Sequence, residues 1–220
     1  MVTLKLKVKA IFFDLDGTIM DSKEAYLTAM KIALSKMGKQ KEINDESAVE
    51  IPKRLEQNLP IIDLLQGVDV KRFLEHYLHA YYQATATKSR PMPGISQVLE
   101  SLSGRVKVAL ITMRNVPKER VIEELAGFNL AKYFQCVVTA HDTHEPKPSP
   151  EALVKCAKQL NTTITDCAVV GDSVADVRAG KNAGTKTVAV LSGIFSRQEL
   201  EREKPDLILK SVKDLLECLE

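Results

Sequence analysis

Two aspartates separated by one residue follow an apolar stretch near the start of the sequence. Residues 8–13 predict a strand covered on both faces, as in a parallel sheet, and Asp14, Asp16 and Gly17 come next. Open parallel sheets bind ligands at the carboxyl ends of their strands. Strand alternation points both carboxylates the same way, so a cation between them or one protonated carboxyl must relieve their repulsion. The alternative is an ordinary turn with a solvated aspartate.

Three later segments supply polar groups that would complement such a carboxylate pair. Thr112 ends a second apolar strand, and Lys147 lies in a proline-stiffened loop. A third strand leads into Asp172 and Asp176. The hydroxyl and the ammonium can bind anionic oxygens. Alternatively, Thr112 only caps a strand, Lys147 is a solvated loop lysine, and the two aspartates cap a helix.

The order of predicted elements indicates an α/β protein with an insertion. The predicted strands cover residues 8–13, 106–112, 136–139, 167–171 and 187–191, and the helices between the later ones cover residues 95–102, 117–126, 150–160 and 174–183. Repeated strand and helix units predict a doubly wound parallel sheet. We expect residues 1–21 and 89–220 to form this core, and residues 22–88, which carry helical patterns only, to form an all-helical domain.

Composition excludes several classes of function. The chain has 220 residues, 45% of them hydrophobic, and a formal net charge of +2. This small, interspersed charge argues against nucleic acid or a membrane surface as the partner. No apolar run approaches the roughly 20 residues of a membrane helix, and no signal-peptide pattern follows the first lysines. Four widely spaced cysteines are interpreted as reduced, so we expect a cytoplasmic protein. We also expect it to be a monomer or a homodimer.

The four segments, in this order and spacing, resemble the four motifs of the haloacid dehalogenase superfamily. The resemblance runs from Asp14 to Asp176 and is most similar to the phosphoglycolate phosphatase-like branch. It implies a Rossmann-like core and identifies the helical insertion as a C1 cap, a mobile lid over the strand ends. A lid would protect a reactive intermediate from water.

The resemblance agrees with the chemistry that these residues can perform. Asp14 would be the nucleophile that forms an aspartyl-phosphate, and Asp16 would protonate the leaving alcohol and then deprotonate water. The negative charge of Asp14 favours the protonated form of Asp16. The implied cofactor is Mg²⁺, a hard cation that prefers oxygen ligands. The resemblance implies that the Asp14 carboxylate, the Asp16 carbonyl and Asp172 hold it, and that Asp176 acts through water or orients Lys147.

The phosphate group would be held by the remaining motif residues. Thr112, Lys147 and the backbone N–H groups near Gly17 would contact its oxygens, because phosphoryl transfer depends on positioning and charge neutralisation. Many relatives carry Asn directly after the hydroxyl residue of the second motif, and Met113 stands at that substrate-contacting position here. In the cap, Lys53 and Arg54 are candidates to bind an acidic substrate, although adjacent basic residues on a helix are usually solvated.

These residues predict a Mg²⁺-dependent phosphatase of a small phosphorylated metabolite, with phosphoglycolate the leading candidate. A haloacid dehalogenase is disfavoured because Asp16 is present. A β-phosphoglucomutase-like phosphomutase is one alternative, although Gly171 precedes Asp172 where those enzymes commonly carry Glu. A broad sugar-phosphate or nucleotide phosphatase is another. A silent binding protein on this scaffold is disfavoured because all four motif carboxylates are present.

Overall fold

The computed structural model describes residues 5–39, 45–65 and 67–220. The chain divides into two compact units. The first comprises Met1–Met20 and Pro91–Glu220, and the second comprises Asp21–Arg90. The chain therefore leaves the first unit soon after Asp14 and Asp16 and returns to it before Thr112.

The first unit contains a parallel sheet. The strands of the chain are β1 (Ala10–Phe13), β2 (Met20–Asp21), β3 (Arg90–Pro91), β4 (Lys107–Thr112), β5 (Cys136–Thr139), β6 (Cys167–Gly171), β7 (Lys186–Val190) and β8 (Leu207–Leu209). Six of them form the sheet in the order β5-β4-β1-β6-β7-β8, and β2 pairs with β3 separately. The chain proceeds from β1 to one side and then crosses to the other, which makes β1 the topological switch point where such sheets bind ligands.

Helices connect the strands and form the second unit. The α-helices of the described residues are α1 (Lys23–Lys36), α2 (Asp45–Glu56), α3 (Val70–Lys88), α4 (Ile95–Leu102), α5 (Lys118–Gly127), α6 (Glu151–Gln159), α7 (Val174–Ala183) and α8 (Arg197–Arg202). The hydrophobic pattern of the sequence does not predict β8 or α8. None of the helices in the described part of the chain combines the length and the apolar character of a membrane span.

Both faces of the central strand are covered. All four residues of β1 are fully buried. Ala10 and Phe12 belong to a cluster that includes Leu153 and Cys156 of α6. Because successive residues of a strand face opposite sides, Ile11 and Phe13 fill the other face. The predicted parallel α/β fold is confirmed, and this burial explains why no polar residue interrupts β1.

The second unit begins with Asp21 of β2 and ends with Arg90 of β3. In the described residues between them, the regular elements are helices. Helices α1 and α3 pack through aromatic rings, since Tyr26 stacks on Tyr81 with ring centroids 5.0 Å apart. Phe73 and Tyr77 continue the row along α3 at a centroid distance of 5.8 Å. Residues at helical spacing thus form a row of packed aromatic rings within this unit.

Candidate active site

The centre of the site is an ion pair between Asp14 and Lys147. Asp14 directly follows β1, and its N–H donates to the carbonyl of Val170 in β6 at 2.9 Å. The Lys147 ammonium donates to Asp14 Oδ1 and to Asp176 Oδ1, both at 2.6 Å. Asp14, Lys147 and Asp176 are 7%, 3% and 1% exposed. One buried cation is therefore shared between two buried carboxylates.

Burial and neighbouring charges shift both members of this pair. Loss of water raises the pKa of Asp14 to about 7, with Lys147 acting against the rise and the charges of Asp176 and Asp16 adding to it. Burial alone would lower the pKa of Lys147, but the two carboxylates outweigh it and raise the pKa of this ammonium above its ordinary value. Lys147 thus stays charged, whereas the pKa of Asp14 lies close to neutral pH.

A third carboxylate completes an acidic cluster. Asp14, Asp172 and Asp176 each offer a carboxylate oxygen, and these atoms all lie within 4.8 Å of one another. Thr18 Oγ1 donates to Asp172 Oδ1 at 3.0 Å, which fixes that side chain. Three buried oxygen donors, with one ammonium among them, form a site that can hold a hard divalent cation.

Three glycines allow the chain to approach these carboxylates closely. A Cβ on Gly193 would lie 1.6 Å from Asp172 Oδ2, and one on Gly17 would lie 2.5 Å from the same oxygen. Gly17 also has a φ of +89°, which disfavours other residues. A Cβ on Gly171 would lie 2.2 Å from the Cγ of Asp176. The cluster therefore depends on missing side chains as well as on present ones.

Helix α7 positions Asp176 through its first turn. Ser173 is the N-cap, and its hydroxyl accepts a hydrogen bond from the Asp176 N–H. Asp176 Oδ2 accepts from the N–H and hydroxyl of Ser173 at 3.1 and 2.6 Å. This capping box leaves Asp176 Oδ1 for Lys147. Helix capping and a role in the site are thus combined in one residue.

Asp16 pairs with a different cation from Asp14. Strand alternation predicts that the two carboxylates point the same way, with a cation between them or one protonated carboxyl to relieve their repulsion. In the structure β1 ends at Phe13 and the chain bends at Leu15. Asp14 pairs with Lys147, whereas Asp16 receives two hydrogen bonds from the guanidinium of Arg114. The charge of Asp16 still contributes to the raised pKa of Asp14, and the common direction of the two side chains stays a prediction. The Asp16 carboxylate also lies outside the group of three that can hold a metal.

Two residues predicted to bind phosphate, Thr112 and Met113, lie at the end of β4 and directly after it. Thr112 is 4% exposed, and its Oγ1 accepts from the N–H of Arg114 at 3.2 Å. Met113 is partly buried. The Thr112 hydroxyl therefore already stabilises the turn after β4, while its own proton is available to a further acceptor.

Lys53 and Arg54 lie in α2 of the second unit. Arg54 donates to Glu50 and Asp63 carboxylates at 3.1 and 2.6 Å, and to the Pro60 carbonyl at 3.0 Å. These contacts lie within that unit and give Arg54 a structural role there. The predicted substrate contact of Lys53 and Arg54 stays a prediction.

The contacts that three residues make in the site were not predicted from the sequence. Thr18 and Gly193 both lie against Asp172, and Arg114 binds Asp16. Gly193 and Arg114 could have been found from their positions in the sequence. Each follows the carboxyl end of a sheet strand, as the predicted motif residues do. Thr18 follows Gly17 directly, so its hydroxyl was a candidate from its place in the first motif.

Comparison with known proteins identifies the family. Residues 11–190 match the model of the haloacid dehalogenase-like hydrolase family, so the chain belongs to this family. A phosphoglycolate phosphatase of Aquifex aeolicus is 29% identical, with 97% of each chain covered. A pyrophosphatase PpaX of Bacillus mycoides is 27% identical over 97% of this chain and 98% of its own.

A solved structure supports the same fold. The haloacid dehalogenase-like family hydrolase from Streptococcus pneumoniae has a TM-score of 0.80 at 18% identity, covering 96% of this chain and 98% of its own. At this identity the likeness concerns the fold alone. The solved structure supports the predicted Rossmann-like core. The family match confirms the predicted family, and the predicted class of enzyme, a phosphatase of this family, is confirmed as well.

Proposed function

We propose that this enzyme is a Mg²⁺-dependent phosphomonoester hydrolase that works through an aspartyl-phosphate on Asp14. The observation that carries the proposal is the buried Lys147 ammonium, 2.6 Å from both Asp14 and Asp176. A buried carboxylate beside a fixed cation, at the switch point of a parallel sheet, suits attack on an anionic ester. The ammonium offsets the repulsion between the nucleophile and the phosphate.

The first step transfers the phosphoryl group to the enzyme. A carboxylate oxygen of Asp14 forms a bond to phosphorus while the bond between phosphorus and the ester oxygen breaks. The ester oxygen takes the electron pair of that bond, accepts the proton of Asp16 and leaves as an alcohol. Lys147 and Thr112 hold the phosphoryl oxygens during the transfer.

The second step returns the enzyme to its starting state. Asp16, now a carboxylate, accepts a proton from a water molecule whose oxygen attacks phosphorus. The bond between phosphorus and the Asp14 oxygen breaks, and inorganic phosphate leaves. Asp16 regains the proton that it gave to the alcohol, so the cycle balances.

The three clustered aspartates fit a resident Mg²⁺. Asp14, Asp172 and Asp176 provide oxygen donors within 4.8 Å of one another, the donor type that Mg²⁺ prefers. Two of the three, Asp14 and Asp176, share the Lys147 ammonium. When bound, the ion would neutralise charge that develops on the phosphoryl group.

The substrate we favour is a small phosphorylated metabolite, with phosphoglycolate first. The relative from Aquifex aeolicus carries the name of a phosphoglycolate phosphatase and aligns over 97% of this chain. The equally extensive alignment with a pyrophosphatase from Bacillus mycoides makes pyrophosphate the second candidate. We infer that the helical unit Asp21–Arg90 acts as a lid that selects between substrates.

Phosphate release tests the proposal. We expect Mg²⁺-dependent release from a panel of phosphoglycolate, sugar phosphates, nucleotides and pyrophosphate, with the highest kcat/KM for phosphoglycolate. Excess chelator should remove the activity, and added Mg²⁺ should restore it, because the ion would neutralise charge that develops on the phosphoryl group.

The panel also separates the alternatives. Highest activity on pyrophosphate would replace the leading substrate, and similar activity on many esters would indicate a broad phosphatase. Isomerised sugar phosphate with little free phosphate would indicate a mutase. No release from any compound would contradict the proposed function.

Gly193→Ala tests the metal site without changing a charge. A Cβ at this position overlaps Asp172, so the carboxylate or the chain must shift. We expect the Mg²⁺ concentration for half-maximal activity to rise about 10- to 100-fold, as for other changes that displace a ligand. The matched control is Gly127→Ala, where a Cβ meets nothing within 4 Å. Equal Mg²⁺ activation of both variants would show that Asp172 does not bind the ion.

A further inference from the structure

A second buried ion cluster lies beside the acidic site and joins three parts of the first unit. Arg114 Nε and Nη2 donate to Asp16 Oδ2 and Oδ1 at 2.7 and 2.6 Å. Arg114 Nη1 donates to Glu124 Oε2 of α5 at 2.5 Å. The side chains of Asp16, Arg114 and Glu124 are 10%, 4% and 11% exposed. The guanidinium therefore links Asp16 to a helix that carries none of the four motifs.

The backbone of Arg114 is held as firmly as its side chain. Its N–H donates to Thr112 Oγ1 at 3.2 Å, and its carbonyl accepts from the N–H of Ala140 at 3.1 Å. The turn after β4 is thus attached to β4 itself and to the end of β5. Because the backbone and the guanidinium of Arg114 are both held, the guanidinium fixes the plane and the position of the Asp16 carboxylate.

Stability alone gives a weak reason for this cluster. Removing three charged groups from water costs free energy that offsets much of their mutual attraction, and apolar groups of similar volume often stabilise a fold as well. The value of the cluster is more readily explained by what it does to Asp16, the one member that belongs to the first motif.

We propose that Arg114, held by Glu124, is the positioning residue for Asp16 in proton transfer to the leaving group. The inference rests on the proposed function, in which Asp16 protonates the ester oxygen. Proton transfer needs a donor within hydrogen-bond reach of that oxygen, and an error of about 1 Å can cost roughly 100-fold in rate. Arg114 restricts the position of Asp16 and thereby keeps it within reach. The guanidinium favours the carboxylate form, so protonation of one Asp16 oxygen releases one of the two Arg114 hydrogen bonds while the other keeps the side chain in place.

Leaving-group dependence separates positioning from a general structural role. An alkyl ester such as phosphoglycolate needs a proton on its departing oxygen, whereas 4-nitrophenolate leaves from its phosphate ester without one. We expect Arg114→Gln to lower kcat/KM for phosphoglycolate at least tenfold more than kcat/KM for 4-nitrophenyl phosphate, because kcat/KM reports the steps up to departure of the leaving group and excludes the hydrolysis step that both esters share. Asp16→Asn should show the same selectivity with a larger loss.

A double variant tests whether Arg114 acts through Asp16. If it does, Asp16→Asn combined with Arg114→Gln should be no slower on phosphoglycolate than Asp16→Asn alone. Arg114→Lys should recover only part of the loss, because an ammonium cannot bind both carboxylate oxygens as a guanidinium does. Arg120→Gln, an exposed site on α5, serves as the control and should leave both rates unchanged.

A folding defect does not obscure the result. Arg114→Gln with Glu124→Gln removes one cation and one anion, so the buried cluster keeps its net charge. This variant should give the same leaving-group selectivity. Equal losses on both esters, or additive losses in the double variant with Asp16→Asn, would overturn the inference. Absence of phosphate release by the wild type would instead overturn the proposed function, and with it this inference.

Discussion

Asp14→Asn should abolish turnover while leaving the fold intact. An amide oxygen cannot form the acyl phosphate that the mechanism needs, so we expect kcat to fall by roughly 10⁴-fold or more. The substitution keeps the size of the side chain, and Lys147 retains its contact with Asp176. Circular dichroism and the melting temperature should therefore change little. Acid quenching with radiolabelled substrate should trap protein-bound phosphate in the wild type and none in the variant.

A matched control lies at the other end of the sheet. Asp166 directly precedes β6, so it lies at the amino edge, and it pairs with Lys9 on the surface. Asp166→Asn changes the same chemical group far from the carboxyl ends of the strands, and kcat should match the wild type. Turnover by Asp14→Asn within tenfold of wild type, with or without a trapped phosphate, would contradict nucleophilic attack by Asp14.

The sheet could be predicted from the sequence where burial on both faces leaves long apolar runs. The predicted strand over residues 136–139 and helix over residues 95–102 agree with β5 and α4. β8 could not be found in this way, because it is a three-residue edge strand whose side chains are all partly exposed. α8 has six residues and fully buries only Leu200, so it presents no periodic stripe.

The site was predictable only in its parts. Strand ends and motif spacing indicated that Asp14, Lys147, Asp172 and Asp176 belong together, and they do lie in one cluster. Which cation faces which carboxylate depends on side chains that project from different elements. Arg114 reaches Asp16 across 98 residues of sequence, and periodicity carries no information about such a pair.

Lys147→Met should lower both activity and stability by large amounts. In metal-free conditions Asp14 and Asp176 would remain buried beside each other without the cation that lies 2.6 Å from both. Breaking a buried ion pair in this way costs about 3–5 kcal/mol of unfolding free energy. Loss of the ammonium from the phosphate site should also reduce kcat by roughly 10²- to 10⁴-fold. Lys158→Met, at an exposed position of α6, is the control and should change neither property.

Two further measurements separate the electrostatic effect of Lys147 from simple loss of packing. Adding Asp176→Asn to Lys147→Met removes one of the two unpaired carboxylates, so stability should partly recover while activity stays lost. Acidification should act in the same direction. The pKa of Asp14 is already raised to about 7 in the folded protein, above its unfolded value, and loss of Lys147 raises it further. The folded state of Lys147→Met therefore binds more protons than the unfolded state, and its deficit should shrink as the pH falls from above 7. A denaturation midpoint equal to that of the wild type, or a deficit independent of pH, would show that Lys147 does not compensate these carboxylates.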